Sequence, residues 1–87
     1  IPMRLNVKKN NDDEAFILIK KRKKKNKNYF YLSKTKNLNE AAKNLYKTLR
    51  KIKKNRYKKI AVEKIPNVQI GEAINDRLLR ASKKWKI

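Results

Sequence analysis

Leu38, Ala41, Ala42, Leu45, Leu49 and Ile52 recur at three- and four-residue intervals, and Lys43, Lys47, Lys51 and Lys54 take the opposite side of the same helical wheel. The spacing predicts a helix of about four turns with one apolar stripe and one solvated face. Asn37 stands at its start as an N-cap, with Glu40 at the N3 place of a capping box. Runs of strand character flank it. Tyr29-Phe30-Tyr31-Leu32 comes before and closes in the polar turn Ser33 to Lys36; Lys59 to Ile65 comes after, reached through Asn55 to Lys58. Strand, helix, strand at this length is a crossover, and a crossover makes its two strands parallel.

The rest of the chain extends that layer. Met3, Leu5 and Val7 alternate with Arg4 and Asn6, the period of a half-buried strand suited to a sheet edge. Lys8 to Asp13 carries turn residues without an apolar anchor and reads as a loop. Ala15-Phe16-Ile17-Leu18-Ile19 is apolar on both faces, as a central strand covered on both sides would be. After Ile65, Pro66 lacks the N–H that a ladder in the sheet interior requires. Ile70, Ile74, Leu78 and Ala81 then mark a second amphipathic helix, with Trp85 one turn further on and Glu72, Asp76 and Arg80 on another face. The expected fold is α/β, Rossmann-like: a small open sheet of about four strands, mainly parallel or mixed, with two amphipathic helices, in a single domain spanning 1–87.

Composition narrows the chemistry. The 87 residues contain no cysteine and no histidine, which removes disulfides, thiolate chemistry, His-based acid/base work and the usual zinc sites. No apolar run approaches the roughly 20 residues of a membrane-spanning helix, so no membrane partner is expected. The single glycine, Gly71, excludes a P-loop or a dinucleotide fingerprint. The formal charge is +20, from 27 Lys and Arg against 7 Asp and Glu. Such a balance points to nucleic acid. The excess is lysine, however, accompanied by Asn, Ile and Tyr, which an AT-rich genome would supply to any exposed surface. Recognition of phosphates and bases favours arginine, and only Arg4, Arg22, Arg50, Arg56, Arg77 and Arg80 are present.

Lys20 to Asn28 is the densest cationic run, and two readings of it stand. Lys20, Lys21, Arg22, Lys23, Lys24, Lys25 and Lys27 are candidate RNA contacts that would make binding salt-dependent. The preferred reading is an exposed, hairpin-like connection that has drifted basic. Tyr29 and Tyr31 share a face that could stack bases; packing in the core beneath a helix is the preferred use. Asp12, Asp13 and Glu14 are read as solvent-facing acids and not as ligands spaced around an ion, so no metal is expected. Asn75-Asp76-Arg77 differ by about 100° per residue around a helix and cannot converge on one atom. Asp76 and Arg80 are i, i+4 partners, and Arg77 is expected to pack its stem beside the stripe with its guanidinium at the sheet edge.

Ile65-Pro66, Ile70-Gly71-Glu72-Ala73-Ile74-Asn75-Asp76-Arg77-Leu78 and Arg80-Ala81 resemble the C-terminal signature of the long-form, two-domain threonylcarbamoyl-AMP synthases of the Sua/YrdC/YciO family. Pro2-Met3-Arg4-Leu5-Asn6, Asp13-Glu14-Ala15-Phe16, Leu32-Ser33, Glu40-Ala41-Ala42, Asn44-Leu45 and Leu49-Arg50 fall in the order and spacing of the same domain, so the resemblance covers nearly the whole chain. One position departs from it. The family carries a second glycine two residues before Gly71, where this chain has Gln69, a residue that resists the positive φ glycine permits.

The resemblance implies an accessory, non-catalytic domain of a cytoplasmic nucleotidyltransferase. It would pack on an N-terminal YrdC-like catalytic domain that binds ATP and L-threonine and, with bicarbonate, makes threonylcarbamoyl-adenylate for tRNA modification. Pro66, Gly71, Asn75, Asp76, Arg77 and Arg80 are then its signature residues and candidate interdomain contacts. A chain opening on Ile1-Pro2 reads as a piece excised near the linker between the two domains. No cofactor is expected in this piece, and no DNA readout. The alternative is a basic RNA- or tRNA-binding module using Lys20 to Lys27 and the lysine face of the first helix. A nucleotide phosphate on the loop N–H groups around Gly71 ranks last, since that loop has one glycine and no cation.

Overall fold

The computed structural model describes residues 3–20, 22–23 and 26–84; Ile1, Pro2, Lys21, Lys24, Lys25 and Trp85, named above, lie outside them. In chain order the elements are β1 (Met3–Arg4), β2 (Ala15–Lys20), β3 (Tyr29–Ser33), α1 (Leu38–Lys54), β4 (Ile60–Val62) and α2 (Ile70–Lys84). The four strands form one open sheet in the order β1-β4-β2-β3. Every pairing is parallel, with Met3 opposite Ile60, Ala15 opposite Ile60 and Phe16 opposite Tyr29. The fold is therefore α/β, with β1 at an edge and β2 in the interior as expected.

Both helices lie on one face. Ala15, Ile17, Ile19, Phe30, Leu32, Ile60 and Val62 project toward them and meet Ala41, Leu45, Leu49, Ile52, Ile74 and Leu78 in a single buried cluster. Phe16, Leu18 and Ala61 project to the opposite face and are fully buried too, against Val7, Tyr29 and Tyr31. Loops cover that second face. The Arg22 guanidinium carbon lies 5.2 Å from the Phe16 ring centroid and 5.8 Å from that of Tyr29. Central burial of β2 on both sides thus holds, with loops where a second layer of helices would ordinarily sit.

That arrangement corrects two expectations. Since β2 and β3 are parallel, the connection between Lys20 and Tyr29 is a crossover and not hairpin-like. Tyr29 and Tyr31 face away from the helices, because strand alternation gives the helix side to Phe30 and Leu32. They are half-buried, and Tyr29 packs edge-on against Phe16 at 5.8 Å and against Tyr31 at 6.4 Å.

Local chemistry fixes the ends. Asn37 Oδ1 accepts from the Glu40 N–H at 3.1 Å, but the reciprocal half of the capping box is replaced: Asn37 N–H donates to Ser33 Oγ at 2.9 Å and Glu40 Oε1 accepts from Lys34 N–H at 3.2 Å. At the other end Arg56 has φ 64°, and Arg56 N–H and Tyr57 N–H donate to the carbonyls of Lys53 and Ile52, closing a Schellman turn. β1 is shorter than its alternation suggests. Asn6 at φ 58° breaks it, and Val7 N–H then rejoins the sheet at Val62 O, 3.0 Å away. Ile70, expected in the stripe of α2, is instead 37% exposed, at the rim of a small cavity that it lines with Ala42 and Leu45 of α1.

Candidate functional site

The segment 65–75 joins the last strand to α2, and its geometry is set by close backbone approach. A Cβ on Gly71 would stand 1.9 Å from the Pro66 carbonyl oxygen, so only glycine leaves room for the loop to fold back on the helix start. Gly71 has no positive φ; contact, not conformational freedom, selects it. Positive φ falls two residues earlier, at Gln69, with φ 49°. An L-residue there costs about 1 kcal/mol relative to glycine. Gln69→Gly should therefore raise the melting temperature by about 2 °C in a thermal melt, most of the strain relief being offset by the added unfolded-state entropy of glycine.

Asn75, one turn into α2, points back to the same loop. Its Nδ2 donates to the Ile65 carbonyl at 3.0 Å and to Asn67 Oδ1 at 3.2 Å. Ile65 is buried, so this carbonyl depends on the asparagine for a partner. Asn75→Ala should destabilise the chain by about 1–2 kcal/mol in urea denaturation. The neighbouring signature residues go elsewhere. Asp76 Oδ2 meets Arg80 Nε at 3.2 Å, both exposed. The Arg77 guanidinium carbon sits 5.3 Å from the Tyr46 ring centroid on α1, a cation–π contact between helices and not the sheet-edge position expected for it. The long side chain follows the α1–α2 seam because its exposed rim offers the aromatic ring.

The helix start does not offer a phosphate cradle. Gly71 N–H donates to Val68 O at 2.8 Å and Glu72 N–H to Gln69 O at 3.1 Å, so two of the first-turn donors are already engaged. At the carboxyl ends of β2 and β4, where open α/β sheets bind ligands, Lys20, Arg22, Lys36, Glu63 and Lys64 line a cleft of about 720 Å³. Arg22 there is held by Glu63, its Nη2 2.8 Å from Glu63 Oε2, and by the Lys8 carbonyl at 3.3 Å. Among the described cations of the 20–28 run, Lys20, Lys23 and Lys27 face solvent, whereas Arg22 is turned inward. Asn28, the end of that run, is buried: its Nδ2 donates to Asp12 O at 2.9 Å and its Oδ1 accepts from the Tyr57 hydroxyl.

The acidic cluster divides. Asp12 and Asp13 are exposed, but Glu14 is only 2% exposed and is not solvent-facing as expected. Arg4 explains the difference: Nε and Nη2 donate to the two carboxylate oxygens at 2.9 and 2.6 Å, and Asn11 N–H adds a bond of 2.8 Å. The Arg4 hydrogen bonds hold the Glu14 carboxyl below its ordinary value, against the opposing effect of burial and with help from Asn11. The pair was not foreseen from sequence, although Arg4 stands among few arginines in a lysine-rich chain.

No helix among the described residues is long and apolar enough to cross a membrane. No curated protein and no solved structure matches the chain. The family model "Threonylcarbamoyl-AMP synthase, C-terminal domain" does match, over residues 3–83, which includes every strand of the sheet and the Gly71–Asn75 lock. By that match the chain belongs to the threonylcarbamoyl-AMP synthase C-terminal domain family.

Proposed function

We propose that this chain is the non-catalytic accessory domain of a cytoplasmic L-threonylcarbamoyladenylate synthase, packed on a catalytic domain that binds ATP and L-threonine and serves tRNA modification. The family match over residues 3–83 carries this reading. The geometry supports it, because Gly71 and Asn75 of the signature hold the β4–α2 connection together and Asn75, Asp76 and Arg77 contact three different neighbours. Residues that diverge in this way build a surface and do not surround a reacting atom. Val68 and Ile70 put exposed apolar side chains on the same connection, suited to contact with the catalytic domain.

The test is pyrophosphate release from ATP with L-threonine and bicarbonate. The purified chain should give no release above blank, and the catalytic domain added in trans should bind it. Release by the chain alone overturns the reading.

A further inference from the structure

Arginine is the minority cation of this chain, six residues among 27 Lys and Arg, yet three of the six converge on one place. Arg50 and Lys53 of α1 face Arg77 and Arg80 of α2 across a cleft of about 520 Å³, with Tyr46 and Leu49 also lining it. The helical spacing explains the convergence: 46, 49, 50 and 53 share a face of α1, and 77, 80 and 81 share a face of α2. Drift toward AT-rich codons puts lysine on exposed surface, as on the outer face of α1. It does not account for arginine at three of four cationic positions in one groove.

Tyr46 supplies the second observation. Its side chain is 51% exposed, and Arg77 lies against the ring with its guanidinium carbon 5.3 Å from the centroid. A half-exposed aromatic ring steadied by arginine and bordered by further arginines presents one flat apolar surface among several forked donors. Unpaired polynucleotide strands have the matching chemistry, bases that stack on an aromatic face and phosphates that accept paired N–H donors. Asp76, paired with Arg80 at 3.2 Å, is a weak competitor because both side chains are exposed. The arginine of the lysine-rich crossover, Arg22, is instead held by Glu63 and the Phe16 ring.

We propose that the α1–α2 cleft binds an unpaired nucleic-acid strand, with Tyr46 stacking on a base and Arg50, Lys53, Arg77 and Arg80 holding the flanking phosphates. This site is independent of the synthase reading above and is displaced from the Lys20 to Lys27 run. It makes arginine geometry, not total charge, the source of affinity.

Fluorescence anisotropy with labelled 12-nucleotide RNA and DNA single strands and a matching duplex, between 50 and 200 mM salt, tests it. Replacing all three arginines by lysine (R50K, R77K, R80K) preserves charge and should weaken single-strand binding about tenfold, as should Tyr46→Ala, while Tyr46→Phe should bind as the parent does. Replacing the same arginines by glutamine should flatten the slope of log K against log salt by about two. Lys20→Gln, Lys23→Gln and Lys27→Gln together remove the same charge from the crossover and should change affinity less than threefold. RNA and DNA strands binding alike supports a site read by phosphate and stacking; tighter RNA binding adds a ribose contact to the same site. Parent-like binding by the lysine triple or by Tyr46→Ala, an equal loss from the crossover triple, or a duplex bound as tightly as the single strands overturns the proposal. All substituted side chains are surface groups, and melting curves confirm that each variant is folded.

Discussion

Gly71→Ala lowers the melting temperature by about 15 °C, the largest effect expected from a single methyl group in this chain. The added Cβ would sit 1.9 Å from the Pro66 carbonyl oxygen, a backbone atom that cannot swing aside as the end of a flexible side chain can. The loop must retreat from the helix start. That movement strains the 65–71 backbone and pulls the Ile65 carbonyl away from Asn75, which together should cost about 3 kcal/mol. A melt of the alanine variant within 3 °C of the parent would show that the loop has room the structure denies it.

Arg4→Met strips a buried carboxylate of its cation, and the loss should depend on pH. In the parent, the Glu14 carboxyl is held below its ordinary 4.5, chiefly by Arg4. A depressed folded-state value means that the pair's contribution is fully present above about pH 4.5 and fades as the pH falls through the lower folded value. In the variant, burial still acts and pushes the carboxyl upward, so this source of acid sensitivity disappears or reverses. The gap in melting temperature between parent and variant should therefore be widest near neutrality and shrink below about pH 4. A gap independent of pH would mean that Glu14 draws no stability from Arg4.

Much of the fold could be read from periodicity, because the core is built by regular elements. The stripe of α1, from Ala41 through Leu45 and Leu49 to Ile52, is buried as its spacing requires, and so are Ile74 and Leu78 of α2. The interior place of β2 followed from its five consecutive apolar residues. What periodicity could not supply is which side of the sheet a connection takes. The run from Lys20 to Asn28 has no repeating apolar pattern that marks a crossover, so it looked like a hairpin and the tyrosines looked covered by a helix. The i, i+4 pair of Asp76 and Arg80 could be read from helical spacing, but a pair between segments could not: the buried state of Glu14 depends on Arg4, ten residues away on β1. At the candidate site, Gly71 and Asn75 were legible through the family resemblance alone, since neither close approach to Pro66 nor the Ile65 carbonyl has a local sequence mark. The substitution at Gln69 was legible for a physical reason, as the position still takes positive φ without its glycine.

The central claim is that Gly71 and Asn75 act on the same object, the carbonyls of Ile65 and Pro66, to seat α2 against the sheet. A double-mutant cycle of Gly71→Ala and Asn75→Ala by urea denaturation measures this directly. If the loop has already retreated in the alanine variant, the second substitution has little left to remove, and the combined loss should fall short of the sum by about 1 kcal/mol. Losses that add to within about 0.3 kcal/mol would contradict the account, since two residues serving one loop cannot behave as strangers.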